Sequence, residues 1–212
     1  MNEKKLSVTE LGNPRKPHGE AGAEMLEGMN KRHYAVTGWA LDFFSFNEND
    51  AVLDIGCGGG ETIHRIAEKI KNGKVFGVDY SPLSVELSTK RNSKSVECGK
   101  IRITEASVEK LPFDDKSFDK IITVESFYFW PDPQENLKEV YRVLNEGGKF
   151  LIVADINGDA ELDEADLEGI RKYDLFNPTI AQFRELLEKA GFRNVEVHTK
   201  DGEKWVCAEG NK

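Results

Sequence analysis

From Ala51 onward, short apolar runs alternate with stretches of helical period. "AVLDI" (51–55) is a β-branched run long enough for a buried strand. Ile63, Ile66, Ala67 and Ile70 then recur at i, i+3, i+4 and i+7, one face of a helix that Gly73 can close. "KVFGVD" reads as a second strand, and "SPLSVELSTKR" as a helix with Ser81 at its N-cap and Pro82 at its first position. "KIRITE" and "DKIITVE" follow as strands. Leu137, Val140, Tyr141 and Leu144 mark a helix expected to run to Gly147-Gly148, before the strand "KFLIVAD". Phe183, Leu186, Leu187 and Ala190 mark a last helix. "VEVHT" and "KWVCAE" flank Asp201-Gly202, a hairpin signal.

Strands alternating with helices predict an α/β fold, Rossmann-like and doubly wound, with a mostly parallel seven-stranded sheet and an antiparallel strand at its C-terminal end. Residues 1–19 hold Gly12, Pro14, Pro17 and Gly19 and no apolar period, and read as a flexible or draped arm. Residues 20–48 carry a helical pattern with Trp39, Leu41, Phe43, Phe44 and Phe46, expected as two short helices broken near Asn30 and forming an N-terminal helical cap. Residues 49–212 are left for the Rossmann-like domain. The acidic run from Glu161 to Glu168, inside a 156–178 insertion, reads as a solvated face.

Charge and cysteines narrow the function. Against 29 Lys and Arg stand 38 Asp and Glu, a net charge of −9 that argues against a nucleic-acid partner. Cys57, Cys98 and Cys207 are too few and too scattered for a disulfide framework or a CxxC metal site, so no metal is expected. No apolar run reaches the roughly 18–20 residues of a membrane span, and the N-terminus lacks a secretory apolar core; a cytoplasmic enzyme is the expectation. "DINGDAELDEAD" alternates acids like a calcium loop, but Ala160 stands where that loop needs glycine.

The candidate chemistry lies in "AVLDIGCGGGETIHRI". A glycine-rich turn between strand and helix lets a ligand approach the main chain closely, at the crevice beyond the strands' carboxyl ends. A dinucleotide fingerprint fails here: counted from Gly56 the third glycine falls on Glu61, and counted from Gly58 it falls on Ile63. The spacing that fits is Asp54-x-Gly56-x-Gly58-x-Gly60.

With "VFGVDYS", "ASVEKLPFDDKSFD" and "VESFYFWPDPQENLKEVYRVLNEGG" following in order, the region from Asn49 to Asp155 resembles the class I S-adenosylmethionine-dependent methyltransferases. It looks most like the ubiquinone/menaquinone-biosynthesis group. The resemblance implies S-adenosylmethionine as cofactor and S-adenosylhomocysteine as product. It implies that the backbone of Gly56, Cys57, Gly58 and Gly60 approaches the methionine and ribose parts, and that Asp54 orients the amino group. Asp79 would accept the ribose hydroxyls and Tyr80 would cover the adenine. Ser107 stands where the family has an Asp for the adenine amino group, leaving Ser107 and the Val108 backbone as adenine contacts. Glu125 and Ser126 fall beside the expected methyl. Tyr128 and Trp130 divide between acceptor pocket and core, and His33 and Tyr34, in the cap, are candidates for acceptor activation. The acceptor is expected to be a small molecule. A nicotinamide-dependent oxidoreductase and a non-catalytic cofactor-binding module are the alternatives.

Overall fold

A computed structural model describes residues 6–212. Seven strands form one sheet in the order β3-β2-β1-β4-β5-β7-β6. They are β1 (Ala51–Ile55), β2 (Lys74–Asp79), β3 (Ile101–Glu105), β4 (Phe118–Val124), β5 (Leu144–Ala154), β6 (Arg193–Thr199) and β7 (Val206–Asn211). The first five pair in parallel, and β7 runs antiparallel between β5 and β6. This is the expected doubly wound sheet, with the hairpin through Asp201-Gly202 supplying the reversed strand.

The helices are α1 (Val8–Gly12), α2 (Gly19–Arg32), α3 (Tyr34–Leu41), α4 (Glu61–Lys69), α5 (Pro82–Arg91), α6 (Ser93–Glu97), α7 (Pro133–Val143), α8 (Glu164–Tyr173) and α9 (Ile180–Lys189). They cover both faces of the sheet. On one face, Ile63, Ile66 and Ala67 of α4 pack with Val36, Ala40 and Leu41 of α3 over Val52 and Leu151. On the other, Leu137 and Val140 of α7 pack with Phe183 and Leu187 of α9 over Leu53, Ile121 and Phe150. The central strands β1, β4 and β5 are buried on both sides at Val52, Leu53, Ile121, Ile122, Phe150 and Leu151, which is why they are continuously apolar there, while the edge strands β3 and β6 are only partly buried and alternate.

Several local details differ from the sequence expectation. The helix expected to run to Gly147-Gly148 ends at Val143, and β5 begins at Leu144 rather than at the expected Lys149: Leu144 already pairs with Phe118, and Gly147 has positive φ within the strand. The break in the 20–48 segment falls at His33, not near Asn30. The solvated run at 161–168 contains the start of α8, held by a reciprocal Asp163/Asp166 cap and burying no residue. Of the arm, residues 1–5 lie outside the described region. Within 6–19, a Ser7/Glu10 capping box starts α1, and Gly12 is buried against Ala21 and Gly22.

That arm crosses the carboxyl ends of the strands. Ser81 Oγ donates to Pro17 O at 2.7 Å, the Tyr80 hydroxyl donates to Arg15 O, and the Arg15 guanidinium donates to the carbonyls of Phe129 at 3.3 Å and Tyr173 at 3.0 Å. Arm and α2 together roof the point between β1 and β4 where the strand order reverses.

Candidate active site

Beneath this roof lies a cavity of about 330 Å³, walled by the arm, by α2 and by the loops after β1, β2, β3 and β4. The β1 loop forms its floor. Val78 O accepts from the N–H groups of both Gly56 (2.8 Å) and Cys57 (3.1 Å), binding the turn to the end of β2. Ile55 O accepts from the hydroxyls of Thr123 (2.9 Å) and Ser126 (3.0 Å), binding it to β4. These contacts leave no room for a side chain at Gly56: φ is +76°, and a Cβ would lie 2.3 Å from Ser126 Oγ.

The expected cofactor residues converge here, with one exception. Gly56, Cys57, Gly58, Asp54, Asp79, Tyr80, Ser107, Val108 and Glu125 all line the cavity. Gly60 stands behind the wall, its carbonyl accepting from Asn92 Nδ2 at 3.0 Å, and a Cβ there would lie 2.4 Å from Ser88 Oγ, so it serves the packing of α4 against α5. The Cys57 side chain points into the core, where burial raises the thiol well above its usual value, so it offers backbone rather than a nucleophile.

Two carboxylates define the electrostatics. Asp54 is 1% exposed, and neither of its oxygens has a hydrogen-bond partner among the described residues. Burial, with Asp79 nearby, pushes it up to about 8. Asp79 accepts from the N–H groups of Gly58 and Ser81, each at 2.9 Å, and burial raises it too. A buried, unpartnered carboxylate beside a second one is costly unless a cationic donor completes it. The site suits S-adenosylmethionine: Asp54 can take the ammonium, Asp79 has lone pairs free for hydroxyls, and the bare glycine floor admits the chain between them. Tyr80 stands at the rim, 38% exposed.

The β3 loop departs from expectation in detail. Ser107 Oγ donates to Glu109 Oε2 at 2.9 Å and accepts the Glu109 N–H at 3.2 Å, so the serine brings a carboxylate to the same rim.

At the opposite end, the candidates for acceptor chemistry form a tighter cluster. Glu125, held at φ +54°, accepts from the Tyr128 hydroxyl at 2.8 Å and from the Asp155 N–H. His33 Nε2 lies 3.9 Å from Glu125 Oε2. Burial and the Asp155 charge push Glu125 well above the usual carboxylate range, burial and the Glu125 carboxylate raise the Tyr128 phenol, and burial lowers His33 to about 4. Trp130 meets the cavity wall and the core at once. Tyr34 is not brought here: it is 54% exposed, with the Arg65 guanidinium 4.1 Å over its ring and Arg65 Nη1 donating to its carbonyl at 2.6 Å.

The sequence reading missed Arg15, Asn30, Glu109 and Asp155. Asn30 was findable: Leu26, Met29, Asn30 and His33 share one face of α2, at i, i+3, i+4 and i+7, and all four line the cavity. Asp155 carried no such signal, because only the β4–β5 pairing brings it beside Glu125.

Residues 53–152 match the family described as "Methyltransferase domain". The chain is 25% identical over 186 residues to the uncharacterized methyltransferase YdaC of Bacillus subtilis (strain 168), covering 87% of this chain and 95% of that one. It is 31% identical over 156 residues to 2-methyl-6-phytyl-1,4-hydroquinone methyltransferase 1, chloroplastic, of Oryza sativa subsp. japonica, covering 73% of this chain but only 44% of the rice protein. An S-adenosylmethionine-dependent methyltransferase from Aquifex aeolicus superposes with a TM-score of 0.73 at 18% identity, covering 88% and 96% of the two chains. Among the described residues no helix is long and apolar enough to cross a membrane. With a glycine floor and an unpartnered acid at the head of a 3-2-1-4-5-7-6 sheet, the chain belongs to the class I S-adenosylmethionine-dependent methyltransferases.

Proposed function

We propose that the chain methylates a small molecule held between the cofactor and α2, with His33, Glu125 and Tyr128 at the acceptor end. The observation that carries this reading is the division of one cavity. Asp54 and Asp79 line its β1–β2 side, and His33 and Glu125 line it at the end of β4, with Tyr128 outside the cavity wall and bonded to Glu125 from behind.

Bound in the first part, S-adenosylmethionine supplies a methyl group already activated by its sulfonium. The protein's own work is therefore to hold, orient and exclude water. Asp54 takes the amino group, Asp79 the ribose hydroxyls, and the Val108 backbone with Glu109 and Ser107 the adenine edge. Pro14, Arg15 and Pro17 close the cavity from above, which suits a small acceptor. The net charge of −9 supports the same choice, since a polyanion would be repelled. The hydroquinone in the rice relative's name is one small acceptor class, though this chain spans less than half of that protein.

Incubation of the full chain with methyl-labelled S-adenosylmethionine and fractionated cell extract tests the reading. Label should enter the small-molecule fraction and be blocked by S-adenosylhomocysteine. Label confined to protein or RNA would overturn the small-acceptor assignment. Binding of NADH without binding of S-adenosylhomocysteine would overturn the cofactor.

A further inference from the structure

Cavity carboxylates outnumber cations, and most are already engaged. The walls carry Asp54, Glu61, Asp79, Glu109 and Glu125 against Arg15 and His33. Glu61 pairs with Arg91, Glu109 with the Ser107 hydroxyl, and Asp79 with two backbone N–H groups. Asp54 is reserved for the cofactor's ammonium. The Arg15 guanidinium is spent on main-chain carbonyls. What remains is Glu125 with Asp155 behind it. Among the described residues neither forms an ion pair with a lysine or arginine, and Glu125 has only His33 at 3.9 Å.

From this convergence we propose that the acceptor is a primary or secondary amine, recognised as its ammonium between Glu125 and Asp155, beside His33 and the Trp130 wall. This inference rests on the methyltransferase reading and names its substrate class. Ligand atoms of His33, Glu125 and Asp155 all lie within 4.8 Å of one another, with 3.9 Å between His33 Nε2 and Glu125 Oε2, so a single small cation can meet all three. An ammonium nitrogen and a divalent metal ion share that requirement, and titration with Mn²⁺ distinguishes them. Glu125 Oε2 also keeps the Tyr128 hydroxyl as a donor, so the carboxylate is fixed in place before an amine arrives. The Phe129 face is already covered by the Arg15 guanidinium, 5.2 Å from the ring centroid, so it is Trp130 on the cavity wall that adds attraction for a cation that a neutral hydroxyl acceptor would not gain.

The chemistry balances. The ammonium gives one proton to the Glu125 carboxylate, which burial has made more basic than usual. The freed nitrogen lone pair forms the new N–CH₃ bond as the sulfonium C–S bond breaks, and that electron pair stays on sulfur as S-adenosylhomocysteine. The product leaves as the N-methylated ammonium, and the proton on Glu125 passes to solvent.

The test is calorimetric titration of the full chain, saturated with S-adenosylhomocysteine, with ethylammonium, butylammonium and phenethylammonium chloride, with 2-phenylethanol as the neutral isostere and with Mn²⁺. At least one ammonium should bind, phenethylammonium about tenfold or more tighter than the alcohol, and Glu125→Gln or Asp155→Asn should each weaken it by about tenfold or more. Uptake of S-adenosylhomocysteine by each variant controls for folding; if Glu125→Gln fails that control, Asp155→Asn decides. Equal binding of alcohol and ammonium, no binding of any ammonium, binding untouched by both substitutions, or Mn²⁺ as the tighter ligand would each overturn the proposal. Failure of S-adenosylhomocysteine to bind the unaltered chain would instead strike the methyltransferase reading.

Discussion

Asp54 makes cofactor affinity depend on pH in a calculable way. Its carboxyl titrates at about 8 in the ligand-free fold, so at about pH 6 only about one molecule in a hundred carries the charge, and at about pH 8 half do. A ligand that presents an ammonium must displace that proton. Affinity for S-adenosylhomocysteine should therefore rise with pH, by about fiftyfold between about pH 6 and 8, or about 2 kcal/mol. The sign for stability runs the other way. The folded value lies above the unfolded 3.8, so this group's contribution is fully present below about pH 4 and is lost as pH rises through about 8. The ligand-free protein should then melt at lower temperature at about pH 8 than at about pH 6, and the ligand should narrow that gap. Titration calorimetry in buffers of different ionisation enthalpy reads both effects. About one proton should be released per ligand at about pH 6 and about half that at about pH 8. Asp54→Asn should bind more weakly and show no such slope. A flat affinity in the unaltered chain, with binding enthalpy independent of buffer, would refute the idea that Asp54 meets the ammonium.

Gly56→Ala puts a methyl 2.3 Å from Ser126 Oγ at φ +76°; it should cost about 1–3 kcal/mol in thermal unfolding and sharply reduce S-adenosylhomocysteine binding, and a wild-type profile would show that the β1 turn yields. Ser107→Asp, which family resemblance alone would call an improvement, places a second carboxylate against Glu109 and should not tighten binding unless combined with Glu109→Ala; tighter binding from the single change would refute the Ser107–Glu109 pairing. Arg15→Ala removes the donors to Phe129 and Tyr173, so S-adenosylhomocysteine should dissociate about tenfold faster in stopped flow, and an unchanged rate would separate the arm from cavity closure.

What the sequence disclosed follows from which signals are local. The central strands were legible because burial on both faces makes their residues continuously apolar, as in Leu53, Ile121 and Phe150, whereas the half-buried edge strands β3 and β6 showed through alternation and the Asp201-Gly202 turn. The floor of the cavity was legible because glycine freedom and an acid two residues before Gly56 are features of a single turn. α1 and α8 escaped because one is a single turn of helix and the other buries nothing, so neither has an apolar period; their only marks are the Ser7/Glu10 and Asp163/Asp166 caps. The proposed acceptor end was half legible. Glu125 and Tyr128 lie three residues apart on one turn, and His33 shares a helix face with Leu26 and Met29. Asp155 enters only through the parallel pairing of β4 with β5, thirty residues away in sequence. A cofactor common to a family can be held by one strand–turn–helix unit. Recognition of a particular acceptor needs groups from several strands at once, and in the proposed site it is the β4–β5 pairing that brings Asp155 to Glu125.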